Sequence, residues 1–433
     1  MQLSSKIKNF YQKNITGSEV VTRFAKVFSV DVVVRAVNFL LIPVFLHLMS
    51  KEEVGTYDYL YSFAFAMAPA LNLGLYVSLT KMYHLYDNPK DKGRLLLTIN
   101  FTLITFLLIV FGVIYGFRLD YSIFSFLVNQ PIAYEKYRFF ILLAMICMIY
   151  NVLLTMFFVT SEKISKIQRY NIGRCLLVNI AVFAALIFLK GDKVALRLGF
   201  TYVSEFIVGL YFFRYYIREM ATPFSKEMML RAIKIGMPIM LSSIAYLLIN
   251  FADKYYVQRY CGMEDFAVYF KALQFATILS VVFNSFQNVW LPIMMKEKDL
   301  TVLNRKTNRV CMVITLLFTA LSLCIIFAVW VALKWNIIPM EYYDMLYVLP
   351  LACLGQIASV LMLLYQYYAV YFEKTHINLF VTIVSGILGV VCNYFAVRYY
   401  SYYGVAVVMI FINILMLLFY FWRSRVYIRN RLK

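Results

Sequence analysis

The chain has 433 residues, of which 63% are hydrophobic and 15% charged, with a formal net charge of +20. A soluble domain carries roughly 45–50% apolar and about 25% charged residues, so this composition excludes a single water-soluble core and calls for lipid as the solvent of much of the surface. Positive charge of this size would point to nucleic acid in a soluble protein; here it falls in short breaks between apolar runs, where it signals topology and meets anionic headgroups.

A membrane-spanning helix needs about 20 mainly apolar residues. Residues 1–26 are basic and polar and lack the early apolar stretch of a cleavable signal peptide, so the first span itself is expected to direct insertion. That span is expected at 27–49. It carries Asp31 and Arg35, four apart and on one helical face, with Asn38 about one turn on. An ionised side chain at mid-bilayer costs roughly 2.5–3.5 kcal/mol, so it is kept only where it faces protein or water. Asp31 and Arg35 read either as an ion pair that helps helices pack or as a cavity-facing arginine beside a carboxylate.

The next spans are expected at 57–80, 95–117 and 138–159. The longest outward segment, about Arg118 to Tyr137, lies between the third and fourth and holds only Asp120 and Glu135 as acids. The fifth span, 170–189, opens with Arg174, a marker of the cytoplasmic interface and a further basic candidate. The sixth, 194–213, has Glu205 midway, flanked by Tyr202 and Ser204; a lone mid-span glutamate is costly unless protonated or paired, which suits a proton or cation role. The longest polar break follows, and we take 214–229 as a cytoplasmic linker between an N-terminal lobe (1–213) and a C-terminal lobe (230–433), each of six helices.

The seventh span, 230–252, ends in Asn250, Asp253 and Lys254. These read as a snorkelling pair at the outer surface or as a gate or coupling carboxylate. The eighth, 266–288, begins with Lys271 and Gln274 three apart, near the outer face. The remaining spans are expected at 307–332, 346–369, 377–397 and 403–421, with Gly386 and Gly389 in the eleventh serving close helix contact. Prolines within or beside the spans (Pro43, Pro69, Pro238, Pro292, Pro350) are candidate kinks.

Charge orients this array of about twelve helices. With the N-terminus cytoplasmic, inward segments hold 29 Lys and Arg and outward ones 12, Arg35 lying within a span, which places both termini inside. An internal echo at a constant offset of 212 supports two equivalent lobes: Asn38-Phe39 meets Asn250-Phe251, Glu52-Glu53 meets Glu264-Asp265, and Tyr57 meets Tyr269. Six spans separate the two segments, so the repeat is parallel, about an axis along the membrane normal.

Several chemistries have no residues to carry them. There is no GxxxxGK[ST] loop and no HExxH. The seven cysteines form no CxxC and read as small apolar fillers, and the three histidines are scattered. No metal site and no cofactor is expected. Nor does any extramembrane segment have the size to house a catalytic domain, so the chain is expected to be a transporter rather than an enzyme.

The stretch KIGMPIMLSSIAYLLINFADKYYVQRYCGMEDFAVYFKA, 234–272, places Pro238 early in a span, Asp253 at its end, Gly262 in a short turn and Tyr269 at the head of the next span. This pattern resembles the seventh and eighth spans of the Wzx-type oligosaccharide flippases, within the multidrug/oligosaccharidyl-lipid/polysaccharide exporter superfamily. EEVGTYDYLYSFAFAMAPALNLGL and VWLPIMMKEKD (289–299) are similar to that family too. The resemblance implies two six-helix bundles around a central cavity, with alternating access. It also implies a polyprenyl-(pyro)phosphate-linked oligosaccharide as cargo, moved to the outer leaflet of a bacterial inner membrane for O-antigen, capsule or exopolysaccharide. Polymerase and export machinery of the same pathway are the implied partners. Arg35 is the headgroup binder it points to, with Asn38, Arg174 and Lys271 as further cavity candidates. Asp31, Glu205, Asp253 and Lys254 are candidates for coupling or gating. A cation-coupled drug or metabolite exporter of the same superfamily is the alternative; Asp31 and Glu205 suit it and Arg35 opposes it.

Overall fold

The computed structural model describes residues 19–128, 134–297, 299–372, 374 and 376–432, with most side chains described from Val33 onward, though not those of 245, 246 and 248–250 among others. The described chain is helical, without strands.

The first helix, α1, spans Glu19–Leu48. Ser50 then starts α2 (Lys51–Leu71) through a capping box: its hydroxyl accepts from the Glu53 amide while the Glu53 carboxylate accepts from the Ser50 amide. The span expected at 57–80 is not one rod. It breaks after Leu71 and resumes as α3 (Leu75–Tyr83), bent by 46°. Gly74 provides the break with φ +63°, which costs a glycine nothing.

Asn88 caps α4 (Pro89–Gly116), whose proline sits in the first turn, where no backbone donor is lost. A short α5 (Leu119–Leu127) occupies part of the segment expected as an outward loop. It is followed by α6 (Tyr134–Thr160) and α7 (Ile164–Phe188). Asp192 caps α8 (Lys193–Ile217) by accepting from the amides of Val194 and Ala195. The second half holds α9 (Lys226–Cys261), α10 (Met263–Lys296), α11 (Leu300–Lys334), a 3₁₀ turn at Met340–Tyr342, and α12 (Met345–Tyr371).

The last helix, α13 (His376–Leu432), runs 57 residues. That is about 85 Å at 1.5 Å per residue, far beyond one bilayer. It is broken at Tyr400 and Ser401, which leave helical geometry. Both arms line one cavity, so the chain reverses there.

Among the described residues eight helices are long and apolar enough to cross a membrane, and the bent α2–α3 pair makes a ninth. The second arm of α13, together with α1 and α9, brings the crossings to twelve. Within α1 the described side chains, Val33–Leu48, form an apolar stretch. α9 carries the uncharged apolar run 235–252, followed by Asp253 and Lys254, which line a cavity. Helix faces turned outward carry large apolar side chains such as Leu108, Phe188 and Phe327, which are 69%, 80% and 63% exposed. In water that surface would be untenable; in lipid it is ordinary.

The helices pack in two groups. In the first, α6 carries α2, α3 and α8, while α7 joins α1 to α8. In the second, α12 carries α10, α11 and α13, and α9 lies along α13. The groups meet where α2 packs on α9 and α10, and where α3 and α4 reach α9. At this seam backbones touch: a Cβ on Gly236 would lie 2.1 Å from the Leu73 carbonyl oxygen, and one on Gly74 would lie 2.4 Å from that of Gly236. We call the end bearing Lys51, Arg118, Asn336 and Tyr400 the Lys51 end, and the opposite one, with Pro89, Glu219 and Glu297, the Glu219 end.

Candidate functional site

Where α1 faces α10, the two groups part around a cavity of about 850 Å³. From α1 come Arg35, Asn38, Phe39 and Ile42; from α2 come Tyr61 and Phe65; from α9 come Asp253 and Lys254. The rest of the wall is α10, α12 and both arms of α13. A cavity of this size lies in the range of ligand sites.

Its charges are few. Among the described side chains, Arg35, Asp253 and Lys254 are the charged residues on the wall. Lys254 Nζ lies 3.2 Å from the Asp253 carboxylate, which also accepts from the Tyr269 hydroxyl at 2.9 Å. Asp253 and Lys254 sit well inside a 36-residue helix, with Asp253 9% exposed, instead of closing a span at the surface as the sequence reading had it. No carboxylate among the described side chains pairs with Arg35, which is exposed to the cavity. Asp31 lies on α1 four residues earlier, and its side chain, like that of Asn250, is outside the described residues. The Asn38 amide oxygen accepts from Asn179 of α7 at 3.2 Å, which fixes the wall beside Arg35.

A second cavity, about 310 Å³, lies within the first helix group. Tyr61 and Phe65 line both cavities, so the two adjoin. Arg174 and Glu205 meet here, with Arg174 Nε 3.0 Å from Glu205 Oε1. Asn72, Asn151 and Thr201 share the wall. Arg174 therefore does not open its helix: α7 begins ten residues earlier, at Ile164, which sets Arg174 nearly three helical turns into it. Its charge is matched by the mid-helix glutamate, which answers how Glu205 is tolerated within α8.

Lys271 is not on either wall. It is buried, 2% exposed, with its Nζ 2.8 Å from an Asp58 carboxylate oxygen and 3.0 Å from Gln274 Oε1. Asp58 belongs to α2 and Lys271 to α10, so this pair ties the two helix groups together close to the Lys51 end. Arg197 of α8 backs it, with its guanidinium over the rings of Tyr57 and Phe45 at 3.8 and 4.1 Å. Neither Asp58 nor Arg197 was singled out from sequence. Further links at this end run from the Arg259 guanidinium to the Phe126 carbonyl, 3.1 Å, and from the Tyr59 hydroxyl to that of Leu127, 2.7 Å.

Sequence reasoning also missed the polar stripes of the central cavity. Gln274, Thr277, Ser280 and Asn284 on α10 recur at intervals of three and four. Gln356, Ser359 and Gln366 on α12 follow at three and seven, and Thr382, Ser385 and Asn393 on α13 at three and eight. That spacing marks one helical face, and within apolar runs it was the available signal. Gly389 belongs to the last stripe; a Cβ there would meet nothing within 4 Å, so it widens the cavity and serves no helix contact.

The described chain is thus a polytopic helical protein with apolar outer faces and a polar cavity between two helix groups. A sequence profile for polysaccharide biosynthesis proteins matches residues 23–298, well over half of the chain, and the protein belongs to that family. No curated protein matches it in sequence. Its fold is shared with transporters of the MOP superfamily. An inward-facing multidrug resistance MATE family transporter of that superfamily is 15% identical, with a TM-score of 0.75 over 92% of this chain and 95% of the other. The lipid II flippase MurJ, in an inward closed conformation, is 13% identical with a TM-score of 0.71 over 92% and 87%. An outward-facing MATE structure fits less well, at 15% identity and a TM-score of 0.63 over 94% and 95%.

Proposed function

We propose that the protein is a flippase that moves a polyprenyl-(pyro)phosphate-linked oligosaccharide repeat unit from the cytoplasmic to the outer leaflet of a bacterial inner membrane, for O-antigen, capsule or exopolysaccharide. The observation that carries this reading is the central cavity, with Arg35, which pairs with no carboxylate among the described side chains, at one side and a wall of amides and hydroxyls at the other. A diphosphate with sugars cannot cross about 30 Å of hydrocarbon unaided. Arg35 supplies a planar cation with paired donors, which matches phosphate oxygens. The neutral wall replaces water around sugar hydroxyls, and family membership supports a role in polysaccharide assembly.

The two helix groups act as the lobes 1–213 and 230–433, joined through 214–229. Both termini lie in the cytoplasm, where the bias of Lys and Arg favours the Glu219 end. The protein then stands closed to the outside through the Asp58–Lys271 pair and the neighbouring links, in the state that loads cargo from the cytoplasmic leaflet. Its closer likeness to inward-facing relatives supports the same state. Alternating access follows if that closure breaks and the Glu219 end seals.

A cation-coupled exporter is the rival reading. It needs free carboxylates for a cationic drug. Among the described residues the carboxylates of the two cavities, Glu205 and Asp253, each already hold a basic partner. The test is a deletion strain. Loss of a surface glycan, with lipid-linked repeat units retained in the inner leaflet and restored by wild type, supports the flippase. Intact glycan with altered drug susceptibility supports the exporter.

A further inference from the structure

The central cavity is chemically lopsided. The N-terminal helices give it aromatic and aliphatic side chains, Arg35 and Asn38, while the neutral hydrogen-bonding groups come mainly from α10, α12 and α13. On those helices Gln274, Asn284, Gln356, Gln366, Asn393 and Asn413 all reach the cavity, and none of the three helices places a charged residue on it. Asn393 is 6% exposed, and its amide oxygen is buried with no hydrogen-bond partner. An orphaned buried acceptor on a cavity wall is costly unless something in the cavity donates to it. Ser280 donates to Gln356 Oε1 at 2.5 Å, which leaves the two donors of the Gln356 amide group free for a ligand.

We infer that this face of the C-terminal half is a binding site for an uncharged glycan headgroup, with the diphosphate held separately by Arg35. The inference rests on the flippase reading and goes beyond it in assigning the sugar its own wall and its charge class. Amides and hydroxyls donate and accept alike, as do sugar hydroxyls and acetamido groups, so each can satisfy the other. A uronate or a sulfated sugar would bring an anion that only accepts. On this wall it would lose hydration and find no cation, since the basic residues of the cavity, Arg35 and Lys254, stand on α1 and α9.

The experiment is a binding measurement by native mass spectrometry on full-length, detergent-purified protein. Three probes are used: undecaprenyl diphosphate alone, the same lipid carrying a neutral N-acetylhexosamine disaccharide, and the same lipid carrying a disaccharide with one hexuronic acid. Wild type is expected to hold the neutral-sugar lipid roughly tenfold or more tightly than the bare lipid, the scale of a few matched hydrogen bonds in a buried site. The uronate lipid is expected to show no such gain. Asn393→Leu with Gln356→Leu should abolish the gain and leave binding of the bare lipid unchanged. If that double variant does not fold, Gln356→Ala alone, on a half-buried side chain, should reduce the gain several-fold. A gain that survives these substitutions, an equal or larger gain for the uronate, or no gain for the neutral sugar overturns the inference. Failure of wild type to bind any of the three lipids overturns the flippase reading itself.

Discussion

Lys271 of α10 lies 2.8 Å from the Asp58 carboxylate of α2, with side chains 2% and 4% exposed. The contact joins the two halves of the protein and lies beside the central cavity, since Gln274 both accepts from Lys271 and lines that cavity. Removing one partner of such a pair leaves a buried charge unmatched, which costs about 3–5 kcal/mol, whereas replacing both with apolar groups is often neutral. Asp58→Asn or Lys271→Met alone should lower the melting temperature of the purified protein by at least several degrees. Asp58→Leu with Lys271→Met should recover it. The double variant should also lose the charge that holds the Lys51 end shut. A single cysteine placed at Gln274 should then react faster with a membrane-impermeant thiol reagent from that side. Equal melting of single and double variants would show that the pair is not coupled.

The Arg174–Glu205 pair offers a second cycle, inside the N-terminal half. Its side chains are 29% and 15% exposed, so the penalty for breaking it is smaller, about 1–3 kcal/mol after allowance for screening. Glu205→Gln should destabilise, and Glu205→Gln with Arg174→Gln should restore much of the loss. Thermal melts of the three variants check this.

Gly236 and Gly389 should respond in opposite ways to the same change. Gly236→Ala puts a methyl 2.1 Å from the Leu73 carbonyl oxygen and must push α9 off the α2–α3 break, for about 1–3 kcal/mol or more. Gly389→Ala meets nothing within 4 Å and should leave the amount of folded protein unchanged. Detergent-resistant folded fractions of the two variants, compared by size-exclusion chromatography, decide the matter.

Arg35 separates charge from geometry. If a planar fork is needed for phosphate, Arg35→Lys should lower glycan export several-fold while Arg35→Ala abolishes it. Full export by Arg35→Lys would mean that a point charge suffices. Quantified surface glycan, at matched protein levels in the membrane, is the readout.

Much of the helical order was legible because the membrane imposes its own length on apolar runs, and charge breaks such as 190–193 survive as turns between helices. Arg35, Glu205, Asp253 and Lys271 stood out for the cost of a charge in hydrocarbon. Partners across helices did not. Helical spacing says which residues share a face but not which face a neighbour presents, so Glu205 could not be matched to Arg174, nor Lys271 to Asp58. Asp58 was overlooked because it opens a span close to the acidic Glu52-Glu53, where a carboxylate is ordinarily solvated. Helix ends were drawn at the edge of apolarity, yet α9 and α10 run on well past it, to Cys261 and Lys296, because capping and turn residues set them. That error moved Asp253 from the cavity wall to a surface. The amide and hydroxyl stripes cost little in a membrane helix that faces protein, so a search for charges passes over them.

The central claim is that this protein carries lipid-linked sugar across a bilayer by way of Arg35. The most direct measurement uses proteoliposomes with an undecaprenyl-diphosphate-linked disaccharide confined to one leaflet, followed by a membrane-impermeant sugar-oxidising probe. The account predicts that wild type exposes the sugar to the probe, that Arg35→Ala leaves it protected, and that a known flippase serves as positive control. Sugar that stays protected with folded wild-type protein, while the control exposes it, would contradict the account.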